Sequence, residues 1–330
     1  MKASVVIPAY NASRTLPQCL AALASQSRPP HEIIVVDDGS TDGTPELAAQ
    51  FPNARFVTQD NAGPAAARNR GASEATGDWI VFTDADCVPP PDWLERLLTP
   101  EPDTSVAGVG GGYTIANPGA LLARVIQAEI GARHARMAGT VDFLGSFNVA
   151  YRREAYASAG GFDTRFRQAS GEDNDLAYRI HEQGGTLRFA PDAPVAHFHP
   201  ERLLPYLRTQ LRHGYWRVLL YRTHQGRTAT GDAYAGAVDL LAPPLAALSL
   251  GYIALALLAT AFGEMRPLGL VPVLLMLQCG LHLGMARRIS AEDHNTEALA
   301  FPFLAALRDV ARAAGLVWGA WHFVVLRRES

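Results

Sequence analysis

Three acidic clusters in this chain stand where carboxylates can do chemistry. The string FTDADC sets Asp84 and Asp86 one small residue apart, directly after the apolar run Trp79 to Phe82. Two carboxylates so close repel unless a positive charge sits between them. A hard divalent cation, Mg2+ or Mn2+, answers this, because it prefers oxygen ligands and also bridges diphosphate oxygens. The plain alternative is a solvated acidic loop. The string SGEDNDLAYR puts Glu172, Asp173 and Asp175 ahead of Leu176, Tyr178 and Ile180. Acids favour a helix N-terminus for its dipole. Three acids in four residues exceed what capping needs, so one is a candidate general base if it reaches the proton it removes. In VVDDGSTDGT, Asp37 and Asp38 follow Val35 and Val36. Such residues also build ordinary turns and caps, so this cluster alone leaves both readings open. His197 and His199, in PVAHFHP, offer an imidazole to a metal or a diphosphate, against the reading that they are satisfied core or surface groups.

The elements that must carry these groups alternate strand and helix from the start, as a parallel α/β sheet requires. Ser4 to Ile7 reads as a buried strand, and Asn11 to Ser13 offer caps to a helix with Leu16, Leu20 and Leu23 on one face. Glu32 to Val36 is the next strand, and Thr41, Asp42 and Gly43 are expected to open a second helix. Arg55 to Thr58 is strand-like, Pro64 starts an Ala-rich helix, and Trp79 to Phe82 is a further strand. Each strand ends in polar residues. Ligands of open α/β sheets bind beyond the carboxyl ends of strands, where these acids lie.

Bulk composition narrows the function classes. The 330 residues carry a formal charge of -3, so no overall cationic field exists to concentrate a nucleic acid. Cys19, Cys87 and Cys279 are odd in number and far apart, which points away from a disulfide framework or a structural zinc site and toward a reducing compartment. The start MKASVVIPAY reaches Pro8 without the apolar core of a secretion signal.

Charged residues vanish from Leu240 to Gly263, a gap of 24 residues, and again over the 20 residues Pro267 to Ala286. Each stretch can cross a hydrocarbon core of roughly 30 Å, so a membrane hairpin over 238–286 is expected, with kinks or ragged ends at Pro243, Pro244 and Pro272. Arg217, Arg222 and Arg227 precede it, Arg287 and Arg288 follow, and only Arg266 sits in the turn, which puts both ends in the cytoplasm. The segment Phe303 to Leu326 holds Arg308, Asp309 and Arg312 and then Trp318 and Trp321, and reads as an interfacial helix. A third crossing would carry Arg327 and Arg328 to the far side. The expected organisation is a catalytic domain over 1–200, a basic and aromatic juxtamembrane segment over 201–237, the hairpin, and a cytoplasmic tail over 287–330. That describes a multi-pass protein of the inner membrane.

Six strings, SVVIPAYN, VVDDGSTDGT, NAGPAAARNRG, DWIVFTDAD, GSFNVAYRREAYASAGGFD and GEDNDL, occur in an order that resembles family 2 glycosyltransferases, across about residues 2 to 200. The resemblance implies a GT-A fold, a Rossmann-like α/β domain for nucleotide-diphospho-sugars. It also implies transfer of a sugar to an acceptor hydroxyl with inversion, and a divalent metal, Mn2+ or Mg2+, on the diphosphate. By the same resemblance Pro8, Ala9 and Tyr10 lie against the nucleoside. Asp38 reads the base beside a more structural Asp37, and Gly63 and Arg68 line the nucleotide side. Asp86 is the metal ligand, and Asp84 meets ribose or the metal through water. Asp173 is the general base, Glu172 orients acceptor or base, and Asp175 is a helix cap. Asn148 lies in the donor-sugar and acceptor pocket. His197 is the further metal candidate, ahead of His199, and Cys87 is a packing residue.

Processive members of that family carry a Gln-x-x-Arg-Trp string after the base. Here the nearest is QLRHGYW, with Gln210, His213 and Trp216, so the addition of one sugar or a few is expected. The acceptor is then lipid-linked or an envelope glycan, and the donor a UDP- or dTDP-sugar. The stretch Arg202 to Arg227 interleaves Arg with Leu, Tyr and Trp and suits anionic headgroups or a lipid diphosphate. Two alternatives remain: a nucleotidyltransferase, which would want a Gly-rich phosphate loop near the N-terminus where IPAYNAS stands, and an inactive nucleotide-sugar-binding membrane protein, which would not need Asp86 or Asp173.

Overall fold

The computed structural model describes residues 1–99, 102–225, 234 and 236–327. In chain order the elements are β1 (Ala3–Ala9), α1 (Leu16–Ala24), β2 (Glu32–Asp37), β3 (Ala54–Thr58), α2 (Pro64–Glu74), β4 (Trp79–Thr83), β5 (Cys87–Val88), α3 (Trp93–Leu97), β6 (Val106–Gly110), β7 (Tyr113–Ile115) and α4 (Leu121–His134). There follow β8 (Gly139–Val141), β9 (Asn148–Arg152), α5 (Arg153–Ser158), α6 (Glu172–Glu182), β10 (Thr186–Phe189), β11 (Val195–His197), α7 (Leu203–Thr223), α8 (Ala237–Ala261), α9 (Val271–Gly280), α10 (Leu283–Ala291) and α11 (Asn295–Gly319). Residues 1–118 and 134–199 form one compact unit. Residues 119–133 and the described residues from Pro200 to Arg327 form another. The expected catalytic domain over 1–200 therefore lacks α4, which belongs with the C-terminal helices.

The first unit is built on an eight-stranded sheet in the order β3-β2-β1-β4-β9-β6-β10-β8. Strands β1 to β4 pair in parallel, with Val6 opposite both Ile34 and Phe82, and nearly every residue of β1 is buried because both faces of the sheet are covered. The sheet is not parallel throughout, as the alternation of elements suggested. Strand β9 runs antiparallel between β4 and β6, and β8 runs antiparallel to β10. Leu16, Leu20 and Leu23 of α1 join Trp79, Val81, Trp93, Leu94 and Leu97 in one core cluster. Each such side chain contributes about 1.5–3 kcal/mol of burial.

Two local expectations fail for one reason. Asn11 to Ser13 do not cap α1, whose N-terminal flank is Thr15 with no side-chain cap. Instead, the Asn11 side-chain oxygen accepts from the Thr41 amide at 2.9 Å, and the Ala12 amide donates to Thr44 Oγ1 at 2.8 Å. Asp42 in turn accepts from the Ser13 and Thr44 amides at 3.1 and 3.0 Å. These side-chain bonds occupy the backbone of residues 41–44, so only a 3-10 turn, Pro45–Ala49, follows where a helix was expected. Asp175 is likewise no cap. It lies inside the first turn of α6 and accepts from Arg179 Nε at 3.0 Å.

In the helical unit, α8 runs unbroken through Pro243 and Pro244 and is long and apolar enough to cross a membrane. The second expected span is not one straight helix. A 3-10 turn, Arg266–Leu270, leads into α9, and the chain bends by 43° between α9 and α10. Pro272 lies in the first turn of α9, where a missing N–H is tolerated, so the break falls after Gly280 instead. Helix α11 starts eight residues before the expected interfacial segment and ends in a π turn, Ala320–Val325. Its Arg308 and Asp309 are buried, not solvated. Glu129 accepts from Arg308 at 2.6 Å, while Asp309 accepts from Gln278 at 2.9 Å and pairs with His282 at 2.6 Å. Arg227 and Arg328, used in the topology reading, lie outside the described residues.

Candidate active site

The site groups converge at the carboxyl ends of β1, β2 and β4. Asp38 follows β2 directly, and its carboxylate is 4% exposed. One oxygen accepts from Gln59 Nε2 at 2.7 Å and the Ala62 amide at 2.9 Å, and the other accepts from the Gly63 amide at 2.9 Å. Asp38 thus folds the loop 59–63 that leads into α2. Gly63 takes a φ of +92°, and a Cβ there would fall 2.5 Å from the Arg167 carbonyl oxygen, so both backbone and space require glycine. Asp37 accepts from the Ser40 amide at 3.2 Å and shapes the turn. Ala9 is buried and Pro8 half-buried. Tyr10, 53% exposed, alone of the three presents a wide free surface.

Strand pairing brings distant residues to the loop after β4. Cys87 of β5 lies opposite His197 of β11, and the Asp86 carbonyl accepts from the Phe198 amide at 3.0 Å. That register sets His197 Nε2 3.3 Å from the Asp86 carboxylate. Ligand atoms of Asp86, Cys87 and His197 lie within 4.8 Å of one another. Burial raises the Cys87 thiol well above its ordinary pKa, and sulfur is a soft donor mismatched to a hard cation. Asp86 and His197 therefore supply the usable donors, a carboxylate oxygen and an imidazole nitrogen, a mixed set that fits Mn2+ better than the oxygen-seeking Mg2+. On its other edge, His197 Nδ1 is 3.0 Å from His199 Nδ1. The His199 ring is pushed down to about 3 by burial first and then by His197, which leaves it neutral.

Arg68 of α2 connects the two acidic clusters. It is 1% exposed, donates to Asp84 at 2.8 Å through Nη2, and donates to Glu172 at 3.2 Å through Nη1. Its guanidinium also lies 5.5 Å from the Phe162 ring centroid. A side chain so enclosed holds the two carboxylates in position. Glu172 is buried as well, and its second oxygen accepts from the Ser170 amide at 2.6 Å. Burial and the adjacent Asp173 charge raise the Glu172 carboxyl to about 7, against the opposing pull of Arg68. Asp173 is the half-exposed member of the pair.

Asn148 is fully enclosed. Its amide nitrogen donates to the Gly112 and Ala193 carbonyls at 3.1 and 2.8 Å, and its oxygen accepts from Trp93 Nε1 at 2.8 Å. It builds the wall beside the site through those partners and presents no side-chain surface of its own. Sequence reasoning passed over Gln59 and Ser170, which hold Asp38 and Glu172. It also passed over Tyr113, whose ring stacks on Phe147 and lies 4.6 Å from the His197 ring. The run Gly110 to Gly112 just before Tyr113 is the one local signal that could have drawn attention there.

Residues 4–159 match the family described as Glycosyl transferase family 2. Glycosyltransferase AglE of Haloferax volcanii is 34% identical over 213 residues, which cover 60% of this chain and 67% of that protein. The pre-mycofactocin glycosyltransferase of Mycobacterium tuberculosis is 33% identical over 241 residues, 68% of this chain and 49% of its own length, so the chain spans only about half of that relative. Among solved structures, a mannosyltransferase of Pyrobaculum calidifontis in complex with GDP-Man and Mn2+ superposes with a TM-score of 0.59 at 21% identity, over 97% of this chain and 87% of that one. GalNAc-T7 with UDP, GalNAc and Mn2+ gives 0.50 at 17% identity, over 68% and 50%. These likenesses show a shared fold.

Proposed function

The chain belongs to the family 2 glycosyltransferases, and from that membership we propose that it moves a sugar from a nucleotide-diphosphate sugar, with inversion, onto a hydroxyl of a lipid-linked or envelope-glycan acceptor. The fold is the α/β GT-A type. Membership removes the nucleotidyltransferase alternative. The observation that carries the reading is the Arg68 bridge: one buried cation fixes the Asp84–Asp86 loop against the first turn of α6, so donor and acceptor groups keep a set spacing.

In this reading Asp173, the half-exposed carboxylate of α6, takes the acceptor hydroxyl proton. The freed oxygen bonds to the anomeric carbon on the face opposite the diphosphate, the carbon–oxygen bond to the diphosphate breaks, and the electron pair leaves with the nucleotide. No covalent enzyme intermediate is needed. Glu172, anchored by Arg68 and the Ser170 amide, keeps Asp173 in place. Asp86 and His197 would hold a divalent cation, Mn2+ or Mg2+, with Asp84 beside them. Such a cation, when bound, supplies positive charge to the departing diphosphate. The Mn2+ in both solved relatives supports the assignment. Tyr10 and the loop held by Asp38 face the nucleoside, for which UDP or dTDP is proposed.

We further propose that the helical unit anchors the enzyme in the inner membrane with its catalytic unit in the cytoplasm. Only 22% of the apolar window of α8 is buried, unlike the core helix of a soluble domain. Leu241, Leu245, Leu248, Leu255, Leu257 and Leu258 face outward along it. The deciding experiment is a donor screen of UDP-, dTDP- and GDP-sugars with the purified full chain in lipid, with Mn2+ or Mg2+, reading nucleotide release and product. Release that needs both metal and acceptor supports the reading. Absence of release with every donor would mark the chain as an inactive binder.

A further inference from the structure

The metal reading uses Asp86 and His197 and leaves His199 without a role. His199 is 4% exposed, while the side chains of His197 and Asp86 are 16% and 44% exposed. The three groups step inward from solvent, a carboxylate first and then two imidazoles. Residues two apart on an extended chain point to the same face, and here the two rings stand with centroids 4.6 Å apart. The Tyr113 ring packs against both, at 4.6 Å from His197 and 5.8 Å from His199.

The backbone that carries the two histidines is held from both sides. Strand β11 lies between β5 and β7, with His197 opposite Cys87 on one and Ile115 on the other. The Ala116 amide donates to the His197 carbonyl at 2.9 Å. Past the end of β11, the Asn117 side chain takes over: its Oδ1 accepts from the His199 amide at 2.9 Å, and its Nδ2 donates to the His199 carbonyl at 2.8 Å. That double contact fixes where the His199 ring starts from. The Nδ1 atoms of the two rings are 3.0 Å apart. Only one hydrogen fits between them, so one ring donates and the other accepts. A neutral imidazole that offers Nε2 to a cation carries its hydrogen on Nδ1. His197 Nε2 is the atom turned toward Asp86, at 3.3 Å, so with a cation in place His197 Nδ1 donates and His199 Nδ1 accepts.

We infer that His199 is a positioning residue, whose Nδ1 fixes the tautomer and ring angle of His197 so that His197 Nε2 and the Asp86 carboxylate converge on one divalent cation. Asn117 sets His199 in turn. The inference rests on the metal reading given above. An imidazole ligand depends on the partner of its other ring nitrogen for both basicity and direction, and losing that partner costs about 10- to 100-fold in metal affinity.

The test titrates Mn2+ alone into the full chain in detergent. Free Mn2+ is read by electron paramagnetic resonance, and pulsed resonance on the bound ion detects coupling to an imidazole nitrogen. His199→Phe keeps a ring and removes the acceptor. It should weaken Mn2+ binding about 10- to 100-fold and remove most of the nitrogen coupling. His199→Asn, which keeps an acceptor near the Nδ1 position, should restore much of both. Mg2+, held through carboxylate and water oxygens, should lose little affinity in either variant by calorimetry. Equal weakening of Mn2+ and Mg2+ by His199→Phe, the mark of a merely structural role, overturns the inference. In a His197→Ala background, His199→Phe should cause no further loss, and an additive loss also overturns it. Should His199→Phe fail to fold, Asn117→Ala, which releases the backbone of residue 199 and keeps both rings, should weaken Mn2+ severalfold, and unchanged affinity there counts against the inference in the same way. Unchanged Mn2+ affinity in His199→Phe beside a loss in His197→Ala overturns the inference and leaves the metal reading standing. Unchanged affinity in His197→Ala removes the metal reading and the inference together.

Discussion

Replacing Arg68 with methionine is the most informative perturbation, because it removes the one cation shared by the two acidic clusters. Breaking a buried ion pair costs about 3–5 kcal/mol when the stranded acid stays charged. Glu172 need not stay charged. Its carboxyl already stands at about 7, raised by burial and Asp173, and Arg68 is what restrains it. Without Arg68 it takes up a proton at neutral pH, and the half-open Asp84 turns to water. The cost then falls to about 2–3 kcal/mol, that of the lost charge-assisted hydrogen bonds. The sign with pH follows from linkage. A carboxyl whose folded pKa lies above its unfolded value near 4.5 favours the fold below that value, and the benefit is lost as pH rises through the folded pKa. In the variant that pKa is higher, so the loss continues further up the scale. The gap between the two proteins should widen above pH 7 by as much as about 1.4 kcal/mol per unit. Thermal unfolding of the full chain in detergent, followed by tryptophan fluorescence, should show a Tm lowered by roughly 5 °C at pH 6 and clearly more at pH 8.5. Transfer should fall about a hundredfold through misplaced groups. An equal drop in Tm at both pH values would refute the claim that Arg68 sets the ionisation of Glu172.

Asp173→Asn should reduce transfer by about a thousandfold or more while titration calorimetry finds nucleotide binding intact, since only the proton acceptor is lost. Asp86→Ala and His197→Ala should each weaken Mn2+ binding, read by electron paramagnetic resonance of free Mn2+, and chelator should stop transfer by the unaltered protein. Asn148→Ala orphans the Trp93 indole and two carbonyls, so a Tm fall matching about 2–4 kcal/mol is expected. Truncation after residue 199 should yield insoluble protein and not a soluble catalytic fragment, because Val125, Ile126, Ala128 and Ala132 of α4 pack with Phe301, Leu304 and Ala305 of α11. Pelleting against recovery in the supernatant decides this.

What could be read from the sequence was local in character. The strands β1, β2 and β4 show as short apolar runs, with terminal acids after β2 and β4, because a buried parallel strand needs apolar residues on both faces. The helix after Thr41 was misread because hydrogen bonds across about thirty positions, from Ser13 and Ala12 to Asp42 and Thr44, outweigh local propensity. The α9–α10 bend was hidden because the apolar run continues past it. In α11, the interfacial reading of Phe303 to Leu326 gave Arg308 no partner, yet Glu129, which neutralises it, lies 179 positions away. A charge with a distant partner looks the same in sequence as a charge in water.

The same limit applies to the site, and it shows why its parts are arranged as they are. Composition and order point to Asp86 and Asp173, but no spacing rule links either one to Arg68, which lies 16 positions before Asp84 and 104 before Glu172. Three carboxylates, Asp84, Glu172 and Asp173, act on one fully enclosed arginine. The Glu172 carboxyl is raised by its burial first and then by the adjacent Asp173 charge. A conservative Arg68→Lys, which can satisfy one carboxylate but lacks the planar fork to span both, should keep the charge yet lose one of the two contacts, to Asp84 or to Glu172, and lower the Tm.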